Sequence, residues 1–304
     1  NGVSAISLDL TSAGTITDGT DVTLSVTNLA KFTASGNDIT LGNDVNDIVT
    51  FGTLDLTGAV VTVTEDSGIS IDQITASTSL TLLANGDITD TASASINVIG
   101  NADFSVVTPL TQDITLGDGA ATFNVGSVTV DANTVSITED STTTFTGTSS
   151  VTGDLTVVSA SNVTLAGTNT VSNNATVNAS GTVDFDGSNT ISGNLNVIAT
   201  GAIADAATTT LSVAGNAILD AGSSSITLGD VGDETVHFGT LDVSGGTVNV
   251  RETSATVLNG VDATDATITS GGSITDGTGV TLAVTNLATL DAGSNAITLG
   301  NDDT

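Results

Sequence analysis

The chain has 304 residues, 34 acidic side chains against two basic ones, and a formal net charge of −32. That charge repels DNA, RNA and anionic membrane surfaces and so excludes nucleic-acid binding. The absence of Cys removes disulfides, thiolate nucleophiles and Cys-ligated metals together, and no apolar run is long enough for membrane insertion. Acidic chains poor in aromatics are often disordered. Here Val, Ile, Leu, Ala and Phe instead recur in strand-like alternation along the whole length.

In chain order, the first long phrase is GTITDGTDVTLSVTNLAKFTASGNDITLGND from Gly14, which returns from Gly272 as GSITDGTGVTLAVTNLATLDAGSNAITLGND. Its ITLG element stands at Ile39, Ile114, Ile226 and Ile297, at spacings of 75, 112 and 71. FGTLDLTG from Phe51 matches FGTLDVSG from Phe238. An acidic marker follows as TED from Thr64 and Thr138, and as RET from Arg251. Pro109 predicts a loop or distorted corner ahead of the strand near Ile114. The seven Phe residues, Phe32, Phe51, Phe104, Phe123, Phe145 and Phe185 among them, mostly fall in alternating patterns that suit core positions.

The middle of the chain carries the clearest period. Val151, Val171 and Ile191 keep one constant interval, and the same interval separates Leu155, Ala175 and Leu195, Val157, Val177 and Val197, and Val163, Val183 and Ile203. After a two-residue slip the pattern continues as VAGNAIL from Val213. A period of about 20 residues, built from short alternating segments, is the signature of a β-solenoid, in which equivalent apolar residues stack from coil to coil. Between the segments lie the pairs Gly153 and Asp154, Asn173 and Asn174, Gly193 and Asn194, and Gly215 and Asn216. These read as a structural turn ladder, since Gly and Asn tolerate left-handed backbone and Asn or Asp bonds its own turn.

The two scales combine. Spacings of 71 and 75 fit four coils of about 18 to 19 residues, and 112 fits six, so insertion by whole coils would preserve the core. The superunits run 1–74, 75–187, 188–261 and 262–304, the last incomplete, within one continuous rod. Roughly 16 coils stacked at about 4.8 Å predict a length of roughly 77 Å. The last match stops part-way through a superunit, which suggests a piece cut from a longer array. Partners are then neighbouring segments of the same long chain or identical protomers.

Catalysis is not expected. His237, the only histidine, sits between Val236 and Phe238 at a sheet-face position, and Lys31 and Arg251 fill repeat positions held elsewhere by Thr289 and Thr64. No nucleophile elbow or His-metal motif is present, and no organic cofactor is implied. The polysaccharide lyases and hydrolases built on β-helices remain the enzymatic alternative. Calcium is the one cofactor considered. Candidate ligands are Asp38 with Asp44 and Asp47, Asp230 with Asp233 and Glu234, and Asp302 with Asp303, since hard cations take several oxygen donors. Aligned Thr rows make a glycan-, mineral- or ice-binding face a further alternative, although Thr also suits any exposed β face.

The phrases ITDG from Ile16, FTASGNDITLG from Phe32, LTVVSA from Leu155 and LDAGSSSITLG from Leu219 resemble the β-helical shafts of filamentous-haemagglutinin-like adhesins and related giant surface proteins. The resemblance implies a right-handed parallel β-helix with three faces per coil, and the repeats give each coil about 19–20 residues. It also implies secretion to the bacterial cell surface and a structural or adhesive role. Binding in such proteins is often concentrated outside the regular rod, and surface glycans are a candidate partner.

Overall fold

A computed structural model describes residues 2–300, and their regular structure is all β-strand. The chain divides into two compact units, residues 1–153 and 154–304. Each is a parallel β-solenoid, in which every strand pairs in parallel with its equivalent in the adjoining coil.

The second unit shows the plan most clearly. One coil comprises the strands Leu155–Ser159, Val163–Leu165 and Thr168–Val171, one per face. Each pairs with its equivalent one full period later: Leu155 with Ala175, Val163 with Val183, Val171 with Ile191. The next coil keeps the same interval, from Ala175 to Leu195 and from Val183 to Ile203. Alternation decides which side chains enter. Leu155, Val157 and Ser159 point into the core, while Thr156 and Val158 lie half-buried on the outer side. The two-residue slip is present too, since Leu195 pairs with Ala217 and Ile191 with Val213.

Elsewhere the coil is elastic. It shortens where Leu54 pairs with Ile71, Val128 with Phe145, and Leu241 with Leu258. Hydrogen bonds joining Val49 to Asp66, Phe123 to Asp140 and Val236 to Thr253 share this short span of 17 residues. It lengthens where Ser95 pairs with Thr122, whose hydroxyls bond across 27 residues. The expected coil length therefore holds in the middle of the chain and not throughout. The stacking constrains only the strands, so corners absorb insertions. Pro109 lies in such an insertion, between Val106 and Ile114, which the pairing of Ile88 with Ile114 encloses.

The register also corrects the whole-coil arithmetic. In the first unit Ile39 stacks between Ile16 and Val61, and its column continues through Leu80, Ala102 and Val128. Ile114 belongs to another column, between Ile88 and Val135, and comes less than one coil after Ala102. In the second unit Ile226 stacks between Ile203 and Val248, followed by Ala266 and Ala288. Ile297 instead stacks on Ile274, and it too comes less than one coil after Ala288. Within each unit the ITLG phrase thus recurs after three coils and part of a fourth, one column away from its predecessor.

All seven Phe side chains are buried. Phe32 meets Phe51 edge-on with ring centroids 5.7 Å apart, and Phe104 tilts against Phe123 at 6.1 Å. Burying each such ring contributes about 2–3 kcal/mol. Amide side chains fill one corner inside the second unit. Asn169 Nδ2 donates to Asn189 Oδ1 at 2.9 Å, and Asn189 Nδ2 donates to the Leu165 carbonyl at 3.1 Å. Replacing Asn189 by alanine should lower stability by about 1–2 kcal/mol, because the buried Asn169 amide keeps only its bond to the Ala166 carbonyl and the Leu165 carbonyl only the Asp186 N–H. Asn174→Ala, on the exposed ladder, should cost under about 1 kcal/mol, since water replaces its bonds. Urea midpoints followed by circular dichroism would rank the two, and equal losses would refute the distinction.

Candidate functional site

The corners hold the chemistry of this molecule. Four residues of the turn ladder bond as follows. Asn174 donates its N–H and its Nδ2 to Asp154 Oδ1 at 3.0 and 3.1 Å. Asn194 N–H donates to Asn174 Oδ1 at 3.0 Å, and Asn216 N–H to Asn194 Oδ1 at 2.9 Å. Backbone bonds run from Gly153 N–H to the Asn133 carbonyl, from Gly193 to Asn173, and from Gly215 to Gly193. Positive φ, however, falls at other corners, such as Gly147, Gly167 and Gly187. Side-chain bonding, rather than left-handed backbone, is what these Asn residues supply.

A second corner pairs an Asp with the glycine of ITLG. The carboxylate of Asp18 accepts the Gly42 N–H at 2.6 Å, Asp90 that of Gly117 at 2.7 Å, Asp205 that of Gly229 at 2.9 Å, and Asp276 that of Gly300 at 2.8 Å. All four glycines have φ between 65° and 76°. In every copy the other oxygen, Oδ1, is buried with no hydrogen-bond partner. Burial pushes the carboxyls of Asp18 and Asp90 up, and that of Asp205 up to about 6.

The third corner is the acidic marker. Glu65, Glu139 and Glu252 are each only 1% exposed. Phe51 N–H donates to Glu65 at 2.7 Å and Val49 N–H to Asp66 at 2.8 Å. Val125 N–H donates to Glu139 and Phe123 N–H to Asp140, both at 3.0 Å. Phe238 N–H donates to Glu252 at 3.0 Å, and Thr253 completes the corner by bonding the Val236 carbonyl. These corners precede the shortened pairings, where the following coil turns instead of laying a strand over the previous one. Carboxylates therefore take the place of ladder carbonyls. One oxygen of each Glu remains buried without a partner, and burial raises the carboxyls of Glu65 and Glu252 to about 7 and that of Glu139 in the same direction.

The structure regroups the calcium candidates. Asp47 is buried, and its two oxygens accept the N–H groups of Val22 and Asp44 at 2.9 and 3.0 Å. Asp38 stands on the other side of the Ile39–Leu41 strand, where it accepts the Val60 N–H. Asp302 and Asp303 lie outside the described residues. Asp230 and Glu234 do come together, without the exposed Asp233 and with Asp205 from the previous coil. One oxygen from each of Asp205, Asp230 and Glu234 lies within 4.8 Å of the others, which is donor chemistry able to coordinate a divalent cation such as Ca2+. Asp205 escaped the sequence reading because it stands in IADA, a phrase that keeps only the Ile and Asp of ITDG. The signal was the spacing, since Asp205 precedes its ITLG glycine by 24 residues, as the ITDG aspartates Asp18 and Asp276 do.

The basic residues are occupied. Lys31 Nζ meets Asp55 Oδ2 at 2.5 Å, and Arg251 donates to the Val231 carbonyl at 3.3 Å. Half-buried His237 shares a 2.6 Å hydrogen bond between Nδ1 and Ser254 Oγ.

Stacked parallel coils with ladders at their corners define a β-solenoid repeat protein, a fold consistent with adhesin-like and other β-helix repeat proteins. The chain belongs to the family described as repeats of unknown function (DUF5649), whose model matches residues 1–55, 57–131, 132–190, 182–242 and 245–304. No curated protein and no solved structure matches it.

Proposed function

We propose that this chain is a segment of a secreted structural or adhesive shaft, which forms or extends a fibre at a bacterial cell surface. The observation that supports this reading most is the way length is generated. Each coil bonds to the next through ladders on every face, so adding coils adds reach without adding a new core. The net charge of −32 suits a saline exterior, where counterions screen its self-repulsion. The corner carboxylates serve the fold by accepting backbone N–H groups, which gives them a role without catalysis.

Antibodies raised against residues 155–205 should label fibres on intact, unpermeabilised cells that produce the full-length protein, as seen by immunogold electron microscopy. Label confined to the cell interior would refute the surface role. Release of reducing sugar from a polysaccharide by the purified chain, abolished by Asp205→Asn, would replace the shaft reading with an enzymatic one.

A further inference from the structure

We infer that Asp205, Asp230 and Glu234 form a calcium site where the corner after the Ile226–Leu228 strand meets the corner of the previous coil. The argument begins with the oxygens that the fold leaves idle. Asp205 spends one oxygen on the Gly229 N–H, and Glu234 spends Oε2 on the Val231 N–H at 2.8 Å. Their remaining oxygens, Asp205 Oδ1 and Glu234 Oε1, are buried with no hydrogen-bond partner, and Glu234 is only 3% exposed. Two neighbouring carboxylates with idle buried oxygens are unfavourable unless a cation or a proton lies between them. Asp230 is exposed and contributes the third oxygen, so the cluster is open to solvent on one side.

The number of carboxylates favours calcium over magnesium. Two donors on one calcium stand up to about 5 Å apart, because each bond is about 2.3–2.6 Å. Magnesium, with bonds of about 2.0–2.1 Å and a rigid octahedron, demands a tighter set. Three carboxylates, each with an oxygen within 4.8 Å of the others, suit calcium, whereas magnesium dehydrates reluctantly and is usually held by one or two; water completes the shell on the open side.

The molecule contains its own control. At the corresponding corner of the first unit, Asn43 stands in place of Asp230 and Asp47 in place of Glu234. There both Asp47 oxygens are taken by backbone N–H groups, which leaves only Asp18 Oδ1 idle. That corner has one idle buried oxygen where the second unit has two. Among the described residues only the Asp205 corner gathers three carboxylates, so one calcium is expected there and none at the Asp18 corner.

The test is a calorimetric titration of the chelator-treated full chain with CaCl2 and, separately, MgCl2. Sodium chloride at about 0.15 M screens diffuse binding to the acidic surface. A single saturable calcium site is expected, at least about tenfold weaker for magnesium. Asp230→Asn and Glu234→Gln should each weaken calcium at least about tenfold, while Asp233→Asn leaves it unchanged. Because the exposed Asp230 carboxylate holds no backbone N–H among the described residues, Asp230→Asn should keep the circular dichroism and the melting curve in chelator. Absence of saturable binding, or a site that survives both substitutions, would overturn the assignment. Equal affinity for the two metals would overturn the choice of calcium.

Discussion

Gly117→Ala should lower the stability of this protein by about 4 kcal/mol or more, enough to prevent folding in a marginal background. Two penalties coincide at that residue. Its φ of 76° costs an L-residue roughly 1 kcal/mol. Its missing Cβ is where the Thr138 carbonyl of the next coil passes, well inside van der Waals contact. Relief would require the two coils to part. Their spacing is fixed by the ladder from Ile114 through Leu116 to Val135 through Ile137, and each bond lost there costs about 1 kcal/mol. The Asp90 carboxylate, which holds the Gly117 N–H, resists the same movement.

Gly36→Ala separates the two penalties. Gly36 has nearly the same φ, 75°, but nothing lies within 4 Å of the position its Cβ would occupy. It should lose only the roughly 1 kcal/mol owed to backbone conformation. The chain has no Trp or Tyr, so urea unfolding is best followed by far-ultraviolet circular dichroism. Equal losses for the two variants would refute coil-to-coil steric contact as the reason for glycine after ITL.

The same contact explains how much of the fold was legible in the sequence. The period from Leu155 to Ile203 was readable because every face there repeats at one common interval, so apolar columns appear directly as a spacing. ITLG misled about coil number because it records corner chemistry rather than position around the coil. A left-handed glycine bonded to an Asp of the previous coil can close any corner, and Ile39 and Ile114 lie in different columns. The metal candidates were only half legible for a related reason. Asp230 and Glu234 are near neighbours in sequence, whereas Asp205 joins them through coil stacking. Glu65 was legible in principle: it continues the inward alternation of Val61 and Val63, as Glu139 continues that of Val135 and Ile137. Charge alone suggested a solvated face, and the demand of unpaired strand N–H groups for an acceptor overrode it.

Those buried Glu residues should make the protein more stable at pH 5 than at pH 8, and Glu252→Gln should remove part of that difference. The folded carboxyls of Glu65 and Glu252 titrate at about 7, above the ordinary value of 4.5, because burial disfavours the charged form. Between those two values the folded state holds protons that the unfolded state has released. Stability therefore falls as pH rises through that window, with the benefit full below about 4.5 and gone above about 7. For Glu252 the shift corresponds to about 3 kcal/mol. Gln keeps an oxygen for the Phe238 N–H and carries no charge at any pH, so it mimics the protonated acid. The variant should match the parent near pH 5 and exceed it at pH 8 by up to about 3 kcal/mol. General repulsion from the net charge of −32 also grows with pH, but it acts nearly equally on both proteins and largely cancels in their difference. Glu252→Ala should behave in the opposite sense at pH 5, losing about 2–4 kcal/mol as the Phe238 N–H loses its acceptor and a cavity opens beneath it. Urea midpoints of the parent and both variants at pH 5 and 8 decide the matter. A Glu252→Gln protein whose stability runs parallel to the parent across that range would show that Glu252 is already ionised in the folded state at pH 5.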